Sequence, residues 1–184
     1  MRERRRYKNR RILKRKTGKN KRYSMENMQA VTTGKIKCAK VAEVEVIYKS
    51  KVKPSERPVI KSSKDAYDIL CNYYNKNILE LQEQFCVLYL NNAKKAIAVN
   101  MHSTGGITGT VADTRLILAT ALKLAASGLI LSHSHPSGNL TPSRQDEALT
   151  QKIKNAARFM DIILLDHIII SSENYYSMAD DGII

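Results

Sequence analysis

The stretch "SHSHPSGNLTPSRQD", from Ser132 to Asp146, concentrates unusual chemistry within fifteen residues. His133 and His135 are separated by one residue, and they are followed by a proline and a glycine that can redirect the chain. Asp146 then lies near the start of a predicted helix. Ordinary loops do not need this combination of imidazoles, turn residues and a carboxylate. The stretch therefore predicts both a strand-to-helix junction and a chemical site.

Strand geometry predicts that the polar side chains of this stretch converge. The sequence LILSHSH at 129–135 is typical of a strand, in which alternate side chains share one face. His133 and His135 should therefore project in the same direction. The following helix is expected to open at Ser143, which puts Asp146 in its first turn. There the carboxylate can face both imidazoles.

Two histidines and an aspartate suggest a zinc site. Imidazole nitrogen and carboxylate oxygen are ligands that suit Zn²⁺. Three protein ligands leave a fourth position for water, which is typical of catalytic rather than structural zinc. Bound zinc lowers the pKa of water from ~15.7 to about 7 and can polarise a carbonyl oxygen. We therefore predict Zn²⁺ bound by His133, His135 and Asp146.

Each part of the pattern also has an interpretation without a metal. Two histidines at a strand end can occur by chance, and Asp146 can simply be favourable to the helix dipole. Ser143 can be a plain N-cap. The combination of all these parts at this spacing favours the metal site over the separate explanations.

Composition favours a cytoplasmic protein with one folded domain. The chain has 184 residues, of which 43% are hydrophobic, enough for a core. No apolar run approaches the ~20 residues of a membrane span, so no membrane partner is expected. The charged start lacks the apolar segment of a secretory signal. Cys38, Cys71 and Cys86 lie far apart without a CxxC motif, which is typical of thiols in a reducing compartment.

The positive charge is concentrated at the start of the chain. Residues 1–24 hold 13 of the 31 Lys and Arg residues but only one of the 17 acidic residues. The remaining residues are almost neutral, with a net charge of +2. We predict a disordered basic tail at 1–24, a linker at 25–40 and a folded domain at 41–184. Such a tail can bind nucleic acid without sequence preference; a solvated extension, a fusion remnant and a true start at Met25 are the alternatives.

The rest of the sequence predicts an α/β fold, with a mixed central sheet flanked by helices. Strands are predicted at 42–50, 85–90, 96–101 and 129–135, and as two short buried pieces within 162–171; helices are predicted at 63–75, 113–127 and 143–160. The second and third strands should form a hairpin. The glycine-rich stretch at 103–110 matches neither GxxxxGK[ST] nor GxGxxG, so it does not predict a nucleotide cradle.

Apolar spacing predicts which side of each helix is buried. The first helix should bury Ala66, Ile69, Leu70 and Tyr73, and the third should bury Leu149, Ile153, Ala156 and Met160. The second helix should begin with Asp113 as its N-cap, and Gly128 follows its predicted end.

The central motif resembles a known family signature. The string HxHPSGxxxPSxxD, which begins at His133, is similar to the JAMM motif of MPN/JAB-domain metalloproteins. Together with LLDHIIIS at 164–171, it resembles the RadC family over most of the chain. The resemblance implies an MPN/JAB-like domain with a cytidine-deaminase-like three-layer arrangement. One departure is Ser134, where the family commonly has asparagine; this side chain should face away from the metal, so we expect little effect.

The resemblance also implies a catalytic base. JAMM proteins use a glutamate on an early strand to activate the zinc-bound water, and the family's Glu-x-Phe pattern falls on Glu83. The residues alone do not separate Glu83 from Glu80, because a glutamate at a strand entrance is usually solvated. In this scheme Glu83 passes a proton from the water to the leaving amine. Ser143 would donate a hydrogen bond to the developing oxyanion.

Two functions compete at this level. The first is a JAMM-type zinc hydrolase that cuts an amide or isopeptide bond in an unidentified peptide or protein. The second is a DNA-associated RadC-type factor, related to DNA repair or mobile elements, in which the domain is a scaffold and the tail binds nucleic acid. A zinc deaminase is excluded, because the chain has neither H-x-E nor P-C-x-x-C. We expect His167, beside Asp166 in an apolar strand, to be buried and hydrogen-bonded, and we assign no role to His102.

Overall fold

The computed structural model describes residues 50–184 of the chain. The predicted tail, linker and first strand lie outside these residues, apart from Ser50. None of the helices in the described part has the length and apolar character that a bilayer crossing requires. In chain order the elements are a short 3₁₀ helix (Pro54–Glu56), α1 (Ser63–Leu70), β1 (Gln84–Leu90), β2 (Ala96–Thr104), α2 (Thr114–Lys123), β3 (Gly128–Ser134), α3 (Arg144–Arg158), β4 (Ile163–Ile170) and β5 (Tyr175–Ser177).

The five strands form one mixed sheet in the order β2-β1-β3-β4-β5. Strand β1 pairs antiparallel with β2, which confirms the predicted hairpin, and it also pairs antiparallel with β3. Strand β4 runs parallel to β3, and β5 returns antiparallel to β4. A parallel pair requires a crossover connection, which α3 supplies. The prediction of an α/β fold with a mixed central sheet is confirmed.

Alternation along β1 divides the core into two layers. Every residue of β1 is buried, and neighbours point to opposite faces. Phe85, Val87 and Tyr89 pack with the apolar residues of α2 and α3. The residues between them pack with Ala66 and Leu70 of α1. Helices therefore cover both faces of the sheet, which is the three-layer arrangement that the resemblance implied.

Helix α1 is shorter than its apolar spacing predicted. Ala66 and Leu70 are buried as expected, but the helix ends at Leu70 and the chain then turns. Because the helical period stops there, Tyr73 is 54% exposed and Tyr74 is buried in its place. The prediction that Tyr73 belongs to the core is wrong.

Helix α2 begins as predicted but ends differently. Asp113 is its N-cap. Gly128 does not terminate it, because Ala125 takes the left-handed conformation with φ of 50°. Gly128 instead opens β3, where a Cβ would approach Leu165 Cδ1 to 3.2 Å. The glycine therefore allows close packing between neighbouring strands.

Helix α3 is rotated relative to the prediction. Its buried residues are Thr150, Ile153 and Ala157. Of the four predicted residues only Ile153 is fully buried, and Met160 is 42% exposed. The rotation turns a polar residue, Thr150, towards the interior.

The segment predicted as two short strand pieces is one strand, β4, with a bulge. Relative to β3 it gains one residue, Leu165, and this reverses the alternation of its side chains. Leu164 and Ile168 would share a face of a regular strand, yet they pack into opposite core clusters. The bulge thereby brings His167 to the same side of the sheet as His133.

Candidate metal centre

The three predicted ligands meet where β3 ends and α3 begins. His133 Nε2 lies 2.8 Å from His135 Nε2 and 3.2 Å from Asp146 Oδ1. His135 Nε2 lies 3.7 Å from Asp146 Oδ2. One ligand atom from each residue lies within 4.8 Å of the others. The structure thus brings all three side chains to one point.

The backbone explains this convergence. The amide of His135 donates to the Ile170 carbonyl at 2.9 Å, so the chain continues the direction of β3 and keeps His133 and His135 on one face. Gly138, with φ of 77°, then turns the chain back. Ser143 caps α3, which leaves the first turn of the helix facing the histidines.

The outer nitrogen of His135 is held by the backbone. His135 Nδ1 lies 2.6 Å from the carbonyl oxygen of Asn139. A carbonyl oxygen only accepts hydrogen bonds, so Nδ1 carries a proton and donates. The ring is thereby oriented with Nε2 towards Asp146, as is usual for metal-bound histidines.

The outer nitrogen of His133 meets another histidine. His133 Nδ1 lies 2.8 Å from His167 Nε2, and His167 Nδ1 lies 2.5 Å from Thr150 Oγ1. Thr150 in turn donates to the backbone carbonyl of Asp146 at 2.6 Å. His167 is fully buried and hydrogen-bonded, as the sequence predicted. Its contact with a candidate ligand could not be read from the sequence.

Electrostatics at this point favour a cation. Burial alone would raise the pKa of Asp146, but the adjacent imidazole rings of His133 and His135 outweigh it and hold this pKa well below its usual range. The hydrogen bond with Asp146 raises the pKa of His135. Burial lowers the pKa of His167 well below its usual value. The carboxylate is therefore ionised, and positive charge beside it is stabilised.

The donor set fits Zn²⁺. Two imidazole nitrogens and a carboxylate oxygen that face one point repel each other unless a proton or a metal ion lies between them. Zinc binds these ligand types, and catalytic zinc sites use three protein ligands and leave one position open. Both histidines also make the outward hydrogen bonds that zinc ligands usually make.

Glu83 lies in the same cleft as the three candidate ligands. The cleft has a volume of about 380 Å³ and is lined by Glu83, Ser143 and all three ligands. Glu80, the alternative base, lines a separate hollow beside Pro136 and Gly138. The location of Glu83 agrees with the role that the resemblance implies for it.

The glycine-rich loop after β2 forms a wall of this cleft beside Glu83. The Glu83 amide donates to the Gly106 carbonyl at 2.9 Å, and the Gly105 amide donates to the Glu83 carbonyl at 2.7 Å. A Cβ on Gly105 would lie only 2.1 Å from the Gly109 oxygen. This supporting role was not predicted from the sequence, although a cluster of glycines directly after a strand is a pattern that indicates close backbone approach.

Comparison with known proteins identifies the family. A sequence model of the RadC-like JAB domain matches residues 60–183. The chain belongs to the RadC-like JAB domain family. It is 48% identical over 125 residues to a "UPF0758 protein" of Flavobacterium johnsoniae, which covers 67% of this chain and 53% of that protein. A "UPF0758 protein" of Methanosarcina mazei is 31% identical over 159 residues, covering 85% and 68%.

A third relative also extends well beyond the part that it shares with this chain. A "UPF0758 protein" of Porphyromonas gingivalis is 44% identical over 104 residues, which is 56% of this chain and 46% of that protein. The chain thus spans about half the length of the first relatives that it matches. The comparisons show the RadC-like JAB domain.

Ser143 has a structural role in this RadC-like JAB domain. Its Oγ accepts a hydrogen bond from the Asp146 amide at 3.2 Å, and its own amide donates to Asp146 Oδ2 at 2.7 Å. This is a capping box that joins the N-cap to a candidate ligand. The cap uses a lone pair of the hydroxyl oxygen, so the hydroxyl proton can still be donated into the cleft that Ser143 lines.

His102 is not among the residues that line the cleft. Its Nε2 accepts a hydrogen bond from the Asp113 amide at 3.0 Å, at the start of α2. Burial lowers the pKa of His102, although the nearby Asp113 carboxylate opposes the shift. In the described structure, His102 stabilises the N-terminus of α2 through this hydrogen bond to its N-cap residue.

Proposed function

We propose that this RadC-like JAB domain is a zinc-dependent hydrolase that cuts an amide or isopeptide bond. The observation that carries the proposal is the convergence of His133, His135 and Asp146 in one cleft that Glu83 also lines. This combination supplies a metal-binding set and a candidate base within one solvent-accessible space. Membership of the JAB family supports the same reaction type.

Each side chain has a distinct task in the proposed reaction. Zinc held by the two histidines and Asp146 would acidify a water molecule and polarise the substrate carbonyl. Glu83 accepts a proton from the attacking water and delivers it to the leaving amine. Ser143 donates its hydroxyl proton as a hydrogen bond to the oxygen on which negative charge develops.

The charge of the cleft favours an amide over a phosphodiester. Among the described residues, Glu83 and Asp146 are the charged side chains that line it, and no lysine or arginine does. A bound Zn²⁺ would only balance these two carboxylates, whereas a phosphodiester brings a further negative charge, which nucleic-acid sites usually neutralise with lysine and arginine. A neutral peptide bond needs no such neutralisation.

A pair of glutamine variants tests the assignment. Zinc-loaded full-length protein is incubated with a random peptide library, an isopeptide-linked lysine peptide and bis(nitrophenyl) phosphate, and the products are followed by mass spectrometry. We expect amide cleavage by the wild type and by Glu80→Gln, and a loss of about 10²–10⁴ in rate for Glu83→Gln. Equal cleavage by both variants would exclude Glu83 as the base. Cleavage of only the phosphate ester would overturn the amide assignment.

The basic start of the chain supports a second function, binding of nucleic acid. Thirteen Lys and Arg residues within 1–24 can neutralise phosphates, whereas the rest of the chain is almost neutral. Binding through about six phosphates should weaken by ~10³ between roughly 50 and 200 mM salt. A chain that starts at Met25 should lose this binding and keep its zinc content. Equal DNA affinity of the two chains at matched salt would refute the tail as the binding element.

A further inference from the structure

A hydrogen-bonded chain behind His133 returns to another candidate ligand. It runs from His133 Nδ1 to His167 Nε2 over 2.8 Å, and from His167 Nδ1 to Thr150 Oγ1 over 2.5 Å. Thr150 Oγ1 then reaches the carbonyl of Asp146 at 2.6 Å. The chain joins β3, β4 and α3, and apart from Asp146 all its members are buried.

The direction of every hydrogen bond in this chain follows from its last acceptor. A carbonyl oxygen cannot donate, so Thr150 uses its one hydroxyl proton on Asp146. The Met178 sulfur, 3.6 Å from Thr150 Oγ1, is an alternative acceptor for the same proton. Two oxygens 2.6 Å apart repel each other unless a proton lies between them, so the hydroxyl proton is not free for His167. The threonine oxygen therefore accepts from His167, whose Nδ1 must carry a proton.

The protonation of His133 follows in turn. His167 is fully buried, its ring nitrogens contact His133 and Thr150 rather than a carboxylate, and an unpaired buried charge is costly, so the ring is neutral. With its one proton on Nδ1, its Nε2 is an acceptor. His133 Nδ1 must therefore be the donor in the 2.8 Å contact, which leaves a lone pair on His133 Nε2. This is the nitrogen that faces Asp146, at 3.2 Å.

We propose that His167 and Thr150 are positioning residues that select the tautomer of His133 and direct its Nε2 to the metal. His167 is not a ligand itself, since both of its nitrogens are engaged behind the site. Phe85 supports the arrangement. Its ring stacks on that of His133, with the ring centroids 6.3 Å apart, and it meets the His167 ring edge-on, with a centroid distance of 5.8 Å. The inference rests on the proposed zinc site for its effect on metal binding, whereas its effect on the tautomer does not require zinc.

Two substitutions at His167 separate hydrogen bonding from packing. His167→Leu fills the space but removes the acceptor for His133, and outer partners of this kind usually change metal affinity by about 10–100-fold. His167→Gln keeps an acceptor and a donor on one side chain and should restore most of the affinity. Thr150→Val, which removes only the hydroxyl, should lie between the wild type and His167→Leu.

Ser132→Ala provides a matched control. Ser132 precedes His133 but faces the other side of the sheet, where its Oγ lies 2.7 Å from the Tyr74 hydroxyl. It is as deeply buried as His167. We expect its replacement to leave zinc affinity and the tautomer of His133 unchanged.

Two readouts test the inference in the full-length chain. Zinc affinity is measured by competition with a chelator, and tautomers are read from long-range ¹H–¹⁵N correlations of the metal-free protein at alkaline pH, where four histidines give few signals. The wild type and His167→Gln should show His133 protonated on Nδ1, and His167→Leu should show a mixture. An unchanged tautomer and unchanged affinity in both His167→Leu and Thr150→Val would overturn the proposal.

The two readouts also separate this inference from the proposed function. If the wild type binds no zinc yet His133 is protonated on Nδ1 and Thr150→Val changes this, the positioning role stands and the proposed zinc function fails. If His167→Leu does not fold, Thr150→Val and His167→Gln decide the question by the same measurements.

Discussion

Both faces of β3 carry polar residues at the end of the strand, but the partners of these residues differ between the two faces. On one face, the serine face, Ser132 Oγ lies 2.7 Å from the Tyr74 hydroxyl, and Ser134 Oγ accepts a hydrogen bond from the Gln84 amide at 2.9 Å. On the other face, the histidine face, His133 and His135 direct nitrogen atoms towards a shared point beside the Asp146 carboxylate. Both faces are buried up to Ser134.

This difference teaches which polar residues indicate a site. A buried hydroxyl with a partner is satisfied and stabilises the fold, as on the serine face. On the histidine face, the outer nitrogens are satisfied by protein, while the inner nitrogens face the Asp146 carboxylate. Convergence of acceptors, rather than burial of polar groups, therefore marks the candidate metal centre. Ser134, which stands where the family commonly has asparagine, faces away from the candidate metal centre, as predicted.

The largest expected effect comes from replacing the converging side chains. His133→Ala, His135→Ala and Asp146→Ala should each lose most of the bound zinc, because three protein ligands define one site. The wild type should hold about one zinc per chain, measured by elemental analysis after dialysis. Ser132→Ala, on the opposite face, should retain it. Full zinc retention in all three ligand variants would remove the distinction between the two faces.

The next effect concerns the cap that borders the histidine face. Ser143→Ala should lower the rate of hydrolysis by about 10²–10³, as for a lost oxyanion donor. Ser62→Ala is its matched control, since Ser62 Oγ accepts from the Asp65 amide at 3.2 Å in an equivalent capping box on α1.

Both variants should destabilise the protein by ~1 kcal/mol in denaturant unfolding, because each loses an N-cap. Only Ser143→Ala should change the rate when assayed below the unfolding transition. A similar loss of rate in the two variants would mean that Ser143 acts only through the stability of its helix.

A smaller effect is expected on the serine face. Tyr74→Phe should cost about 1–3 kcal/mol of unfolding free energy, because it leaves the buried Ser132 hydroxyl without its partner. Adding Ser132→Ala should recover part of this loss, since both polar groups are then removed. Zinc content should not change in either protein. Additive losses in the double mutant would show that the two hydroxyls do not interact.

The smallest effect concerns His102, a histidine outside the point of convergence. Its pKa is lowered in the folded protein, mainly by burial, so the unfolded chain takes up the proton more readily. Its contribution to stability should be present above a pH of about 6.5 and be lost as the pH falls below this value. The free energy of unfolding, measured across this range, should fall less steeply for His102→Gln than for the wild type. Identical pH profiles would contradict the role of neutral His102 as an acceptor for Asp113.

Sequence reasoning succeeded where the determinants are local. The candidate ligands, the turn residues and Ser143 lie within one contiguous stretch, and the alternation of a strand and the first turn of a helix determine how its side chains point. The sequence could therefore predict that these side chains converge, whereas metal binding itself stays a prediction. The α/β class followed from the same local patterns, and the family followed from the motif. Glu83 needed the family resemblance, because nothing local distinguishes it from Glu80.

The tertiary structure decided the contacts that depend on register and on where elements end. Tyr74 replaced Tyr73 in the core because α1 stops at Leu70, which the helical period cannot show. His167 faces His133, 34 residues away in sequence, because of the parallel pairing of β3 with β4 and the bulge at Leu165. The sequence alone determined which side chains could bind a metal. Only the packing of β3, β4 and α3 determined which buried groups position those side chains, because these contacts depend on strand register and helix rotation.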